Sequence, residues 1–136
     1  MEVKLSGHGA YRHQYHIVWI PKYRRKVLKN GIKVEVEKYI REISEYHPDV
    51  KIIEMNIQID HVHLIMEIPP RYAVAAIVGK MKQNSSRKSS KKLGKEGIFW
   101  SPGYFSSTVG LDEEAIKKYV RFQEKADNGE YQLKLF

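Results

Sequence analysis

The amino-acid sequence predicts an α+β fold, one antiparallel sheet with two helices packed on one face. Three observations carry this. Residues 51–59 and 61–68 alternate apolar and polar side chains in the two-residue period of a half-buried strand. Two other segments place apolar residues at i, i+3, i+4 and i+7, the stripe of an amphipathic helix: Val36, Tyr39, Ile40 and Ile43, then Val74, Ile77, Val78 and Met81. The order along the chain is strand, helix, strand, strand, helix, strand. That is the split βαβ order of ferredoxin-like (RRM-like) sandwiches, with one C-terminal helix left over.

Taken in turn, residues 15–20 form the first strand, stopped by Pro21, and a helix over 33–46 ends before Pro48. In the strand over 51–59, Ile53, Met55, Ile57 and Ile59 share one face and Glu54, Asn56 and Gln58 the other. A tight turn at Asp60 leads into the next strand, where Val62, Leu64, Met66 and Ile68 face one way and His61, His63, Ile65 and Glu67 the other. Pro69 and Pro70 end it. Beyond the second helix, residues 83–97 are rich in Ser, Lys and Gly and read as a loop or a frayed helix. Short strands are expected at 98–100 and 104–109. The last helix starts from Asp112 as N-cap, carries Glu113 and Glu114 in its first turn, and runs to Asp127, where Asn128-Gly129 stops it.

A chain of 136 residues suits a single domain, here residues 1–136, and 42% hydrophobic residues supply its core. There are no cysteines, so disulfides and thiolate metal sites are excluded. No run approaches the roughly 20 apolar residues of a membrane span, and no signal peptide is recognisable, so the expectation is a soluble cytoplasmic protein with no membrane partner. The formal charge is +8. Half of the 24 Lys and Arg fall in two acid-free clusters, one from Lys22 to Lys29 and one from Lys80 to Lys95. Clustered cations attract polyanions, nucleic acid first among them. Lys22, Arg24, Arg25, Lys26, Lys80, Lys82, Arg87 and Lys88 are therefore candidate phosphate contacts, which position DNA without reading its sequence. Solvated basic loops would give the same pattern.

Two pairs of residues carry chemistry. His61-Val62-His63 sets two imidazoles on one strand face, about 7 Å apart, where they could converge on one ion or serve as ordinary surface residues. Tyr119 and Gln123 stack at i, i+4 on the last helix. With Ile116 and Val120 beside them, a half-buried Tyr and a solvated Gln of an amphipathic helix is the plainer reading.

Four segments together resemble one family. They are Tyr15-His16-Ile17-Val18-Trp19-Ile20-Pro21-Lys22-Tyr23-Arg24-Arg25, Asp60-His61-Val62-His63-Leu64, Trp100-Ser101-Pro102-Gly103-Tyr104-Phe105 and Lys118-Tyr119-Val120-Arg121-Phe122-Gln123. In this order, over residues 11–125, they are similar to the signature blocks of the single-tyrosine HUH transposases of the insertion-sequence 200/605 type (transposase A, IS200-like). The resemblance implies that His61, His63 and Gln123 hold a divalent metal, Mg²⁺ or Mn²⁺, and that Tyr119 on the C-terminal helix is the nucleophile. It also implies a homodimer with joined sheets, in which many members donate the tyrosine helix in trans, and leaves cis or trans placement of Tyr119 open. The substrate it implies is single-stranded DNA with hairpins at the element's ends.

Those residue types suit the reaction. A metal offsets charge at a phosphodiester, and a neutral His/His/Gln set leaves open positions for it. Attack by Tyr119 would give a 5′-phosphotyrosine and a free 3′-OH, so rejoining needs no ATP. Tyr23, Trp100, Tyr104 and Phe105 are candidates for stacking on unpaired bases, with core packing as the simpler role for Trp100 and Phe105. Asp60 reads as a turn residue and His16 as structural. The alternatives are a domesticated nuclease of repeated palindromes, a non-catalytic ferredoxin-like nucleic-acid-binding module, and a metallohydrolase that forms no covalent adduct.

Overall fold

Four strands make an antiparallel sheet in the order β4-β5-β3-β6, with β3 spanning Gln14–Trp19, β4 Lys51–Gln58, β5 His61–Glu67 and β6 Phe105–Ser107. The computed structural model describes residues 4–6, 9–11, 13–93, 100–108 and 113–129. Helix α1 (Asn30–Arg41), followed after Glu42 by the single turn α2 (Ile43–Tyr46), joins β3 to β4, and α3 (Val74–Leu93) joins β5 to β6. Each helix thus crosses between strands that are not neighbours, which is the ferredoxin-like topology. Helix α4 (Glu113–Asp127) follows β6 and closes at Gly129, whose φ of +79° is a conformation glycine adopts without strain. No helix among the described residues is long and apolar enough to cross a membrane.

The core follows from the alternation. Val62, Leu64 and Met66 of β5 pair with Trp19, Ile17 and Tyr15 of β3, and all six point to the helix side. Against them lie Val36 and Ile40 of α1 and Ile77, Val78 and Met81 of α3. Each large apolar side chain taken from water here contributes about 1.5–3 kcal/mol.

Two expectations change and one, left between loop and helix, is decided. The alternation of β4 is broken by a bulge between Ile52 and Glu54, so Ile52 joins Met55 and Ile57 on the core side while Ile53 is 50% exposed. One extra residue in one strand shifts the facing of everything beyond it. The Ser/Lys segment after Met81 is helical as far as Leu93, because residues 83–93 contain neither Gly nor Pro and several good helix formers. The strand expected at 98–100 is, at Trp100, a single bridge to Pro21; residues 98, 99, 109 and 112, where strand ends and the N-cap were expected, lie outside the described residues. An additional hairpin pairs β1 (Lys4–Ser6) with β2 (Gly9–Tyr11), both too short to show a period in the sequence.

Candidate active site

The face of the sheet away from α1 and α3 is built by the alternate residues. Cross-strand partners share a face, so Asn56, His63, Val18 and Phe105 form one row across all four strands. Gln58 and His61 lie in the next row, and His16 sits diagonally from His63 with ring centroids 5.8 Å apart. Helix α4 lies over the β6 end of this face, where the Tyr119 ring meets Phe105 at 5.8 Å. Phe105 is two strands from His63, about 10 Å. The structure therefore brings the histidine pair and the α4 pair to one side of the sheet, with the histidines toward β5 and Tyr119 toward β6.

Each of the four side chains has a distinct environment. His61 Nδ1–H donates to Asp60 Oδ1 at 2.9 Å. An ionised carboxylate only accepts, so the hydrogen is on Nδ1 and the Nε2 lone pair is free to bind a cation. Burial alone would raise the Asp60 carboxyl, but hydrogen bonds from His61 and Arg24 and the charge of Arg24 hold it below the usual carboxylate range. Among the described residues, His63 Nε2 is buried without a hydrogen-bond partner. Burial first, then the neighbouring His16 and His61, push the His63 imidazole below its ordinary value and keep it neutral. Gln123 is 5% exposed, not a solvated flank, and its Nε2 donates to Asp127 Oδ1 at 3.2 Å, which leaves its carbonyl oxygen as an acceptor. The Tyr119 hydroxyl is buried and has no partner among the described residues, and burial, reinforced by the negative charge of Asp127, raises the phenol above its ordinary value.

The helix bearing Tyr119 and Gln123 is moored to the turn that follows β3. Asp127 Oδ2 accepts from the Tyr23 backbone N–H and from Ser101 Oγ, and Lys22 Nζ lies 3.6 Å from Asp127 Oδ1. Arg24 donates through Nε to Asp60 Oδ2 at 2.8 Å and through Nη1 to Glu124 Oε2 at 3.0 Å. Burial works against its charge, yet Glu124 and Asp60 raise the guanidinium above its ordinary value. Tyr23 and Arg24 both have left-handed backbones, φ 59° and 52°. Such residues cost of order 1–3 kcal/mol each and persist where their surroundings over-determine them.

The cations expected to meet phosphate divide in two. Arg24, Lys22 and Lys82 have protein partners; Lys82 Nζ donates to the carbonyls of Ser101 and Gly103, both at 2.7 Å, and burial lowers it to about 8 against the pull of Asp127. Lys80 Nζ is 3.0 Å from His47 Nε2. Arg25, Lys26 and Arg87 are exposed, Arg25 above the Tyr23 ring at 5.9 Å, and Lys88 follows Arg87 on α3. Trp100 packs edge-on to Trp19 at the rim of the core and donates to the Lys82 carbonyl, so its packing role holds, while Tyr23 is 47% exposed.

In the sequence Asp60 reads as a turn residue and Asp127 as a helix end, yet these carboxylates hold His61 and Gln123. The signals were present: an acid directly before the histidine pair, and an acid at i+4 from Gln123 and i+8 from Tyr119.

The family model described as transposase IS200 like matches residues 9–123. The chain belongs to the IS200-like transposases. This transposase is 31% identical over 138 residues to the transposase for insertion sequence element IS200 of Salmonella typhimurium, covering 97% of this chain and 90% of that one. It is 30% identical over 132 residues to the ISDra2 transposase TnpA of Deinococcus radiodurans, covering 90% and 92%. Two solved structures share its fold. One, described as a transposase from Deinococcus radiodurans, superposes with a TM-score of 0.78 at 24% identity over 88% of this chain and 97% of that one. The other, a REP-associated tyrosine transposase bound to a REP hairpin, gives 0.57 at 13% identity over 87% and 68%.

Proposed function

We propose that this transposase cleaves and rejoins single-stranded DNA at insertion-sequence ends through a 5′-phosphotyrosine on Tyr119, with a divalent metal held by His61, His63 and Gln123. The observation that carries the reading is that, among the described residues, His63 Nε2 and the Tyr119 hydroxyl are buried without partners on one side of the sheet, with His16 Nδ1 a third such atom beside His63. A buried group without a partner costs about 1–3 kcal/mol, a cost that a metal at His63 and a phosphate at Tyr119 would relieve.

The donor set fits a metal. His61 has its Nδ1 hydrogen committed to Asp60, His63 is held neutral with Nε2 unpartnered, and Gln123 keeps its carbonyl oxygen free. Two neutral nitrogens and one amide oxygen leave positions for phosphate oxygens and suit Mn²⁺ on ligand preference, with Mg²⁺ the abundant cellular alternative. When bound there, the ion supplies charge neutralisation at the scissile phosphate.

The rest is done by the chain. In the cleavage step the Tyr119 oxygen forms a bond to phosphorus, the bond from phosphorus to the 3′ oxygen breaks, the phenol proton is lost and the 3′ oxygen takes up a proton. The bond energy is kept in the phosphotyrosine, so a 3′-OH from another strand reverses the step and joins the ends. Against Phe105 the phenol is protonated and shielded, so Tyr119 must leave that contact to attack. Helix α4 carries it to the phosphate, in its own protomer or, as the family resemblance implies, in the partner of a homodimer. Arg25, Lys26 and Arg87, which are exposed, would hold the phosphates of a DNA hairpin.

The test uses single-stranded oligonucleotides tiled across the DNA flanking the gene, incubated with Mn²⁺ or Mg²⁺ and separated on denaturing gels. The expected result is metal-dependent cleavage with a slow-migrating protein–DNA band that is lost in Tyr119→Phe and His63→Ala. Tight hairpin binding with neither cleavage nor band would favour a non-catalytic binding module.

A further inference from the structure

We propose that Asp60 and Arg24 form a positioning strut for the metal site: Asp60 fixes the tautomer and aim of His61, and Arg24 fixes Asp60 while tying it to the helix that bears Gln123. The proposal rests on the metal reading above and goes further, because it gives roles to an acid that the sequence marks only as a turn residue and to a cation that it marks as a DNA contact.

Three observations carry it. The Asp60 carboxylate spends one oxygen on each partner, Oδ1 on His61 Nδ1–H at 2.9 Å and Oδ2 on Arg24 Nε at 2.8 Å. With both oxygens engaged and Asp60 only 9% exposed, the carboxylate has one orientation, and His61 inherits it. A carboxylate that takes the hydrogen of one ring nitrogen leaves the other nitrogen as the lone-pair donor and makes it more basic. Next, Arg24 reaches Asp60 and Glu124 at once, bridging the β4–β5 turn and α4 from a position far from both in the chain. Glu124 directly follows Gln123, so the second ligand-bearing element is referred to the same guanidinium. Finally, the turn that aims Arg24 holds two consecutive non-glycine residues, Tyr23 and Arg24, in left-handed backbone. A mobile phosphate-binding arginine has no need of so constrained a base; a strut does.

The test compares wild type with Asp60→Asn, Asp60→Ala, Arg24→Gln and His61→Ala. The tautomer of His61 is read in the metal-free protein from ring ¹⁵N shifts, Mn²⁺ affinity from paramagnetic titration, and folding from thermal melts. Wild-type His61 is expected to carry its hydrogen on Nδ1. Asp60→Ala should shift it toward Nε2 and weaken Mn²⁺ binding about 10–100-fold, in a protein that still melts cooperatively. Asp60→Asn, which keeps the shape and one acceptor, should retain part of both. Arg24→Gln should leave the tautomer largely in place and weaken Mn²⁺ several-fold. If His61→Ala leaves Mn²⁺ affinity unchanged, the metal reading falls and the strut with it. If His61→Ala removes binding while Asp60→Ala keeps wild-type tautomer and affinity, the metal reading stands and the strut alone is overturned. A wild-type His61 with its hydrogen on Nε2 overturns it outright.

Discussion

On the helix side of β5, Val62, Leu64 and Met66 are fully buried against Ile17 and Trp19 and the stripes of α1 and α3. On the other side of the same strand, His61 and His63 are partly exposed, bonded to or near charged and polar groups, and His63 ends in a buried nitrogen with no partner among the described residues. Seven residues thus serve two purposes through the two-residue period alone. The helix side supplies hydrophobic stabilisation, and among the described residues the indole nitrogen of Trp19 is buried there without a partner. The histidine side tolerates unpaired polar atoms, a raised phenol at Tyr119 and left-handed residues at its margin. The difference teaches where stability and reactivity are kept apart, and substitutions on alternate positions should separate them.

The largest expected effect is on the histidine side. His63→Ala should lower metal-dependent cleavage on the order of 10³-fold while leaving the thermal midpoint near wild type or above it, since it removes a desolvated, unpaired nitrogen. A large loss of stability instead would mean that His63 is a packing residue. Its neighbour Leu64, pointing the opposite way, should show the reverse. Leu64→Ala should cost about 2–5 kcal/mol in denaturant unfolding, with Mn²⁺ affinity of the folded fraction unchanged. Gln123→Ala, on α4, should weaken Mn²⁺ binding about 10–100-fold, as measured by titration, with a smaller loss of stability from the severed bond to Asp127.

The pH dependence sharpens the same contrast. The folded His63 imidazole titrates below its ordinary value of 6.5, so the unfolded chain binds more protons as pH falls beneath that value. Stability from this group is complete above 6.5 and is lost as pH drops through the lower, folded value. Unfolding free energies measured from pH 7 down to 5 should therefore fall in wild type and fall less in His63→Ala. The smallest effect is expected at the bulge: Ile53→Thr, on an exposed edge, should change stability by less than about 0.5 kcal/mol, whereas Ile57→Thr, buried at 5% exposure, should cost several times more.

Much of this was legible in the sequence because strong periods report faces directly. The order of the sheet elements, the apolar face of β5, the stripes of α1 and α3, and the placement of His61 and His63 together opposite the core all follow from spacing. What was illegible depends on single residues or distant partners. One extra residue at Ile52–Glu54 turns Ile53 outward, and no hydropathy pattern marks a bulge that keeps apolar side chains on both faces. The burial of Gln123 depends on α4 docking against the turn at Lys22–Arg24, about a hundred residues away in the chain, and i, i+4 spacing cannot choose between solvent and protein. Arg24 reads as a candidate phosphate contact for the same reason: its partners Asp60 and Glu124 are adjacent only in the fold.

The central claim is that Tyr119 forms the covalent bond to DNA, and the most direct measurement is mass spectrometry of the protease-digested protein–DNA adduct. The expected result is a single modified peptide containing Tyr119, carrying nucleotides through a 5′-phosphate, formed only with divalent metal and absent from Tyr119→Phe. An adduct mapped to another tyrosine, or cleavage in which no peptide carries nucleotide, would contradict it.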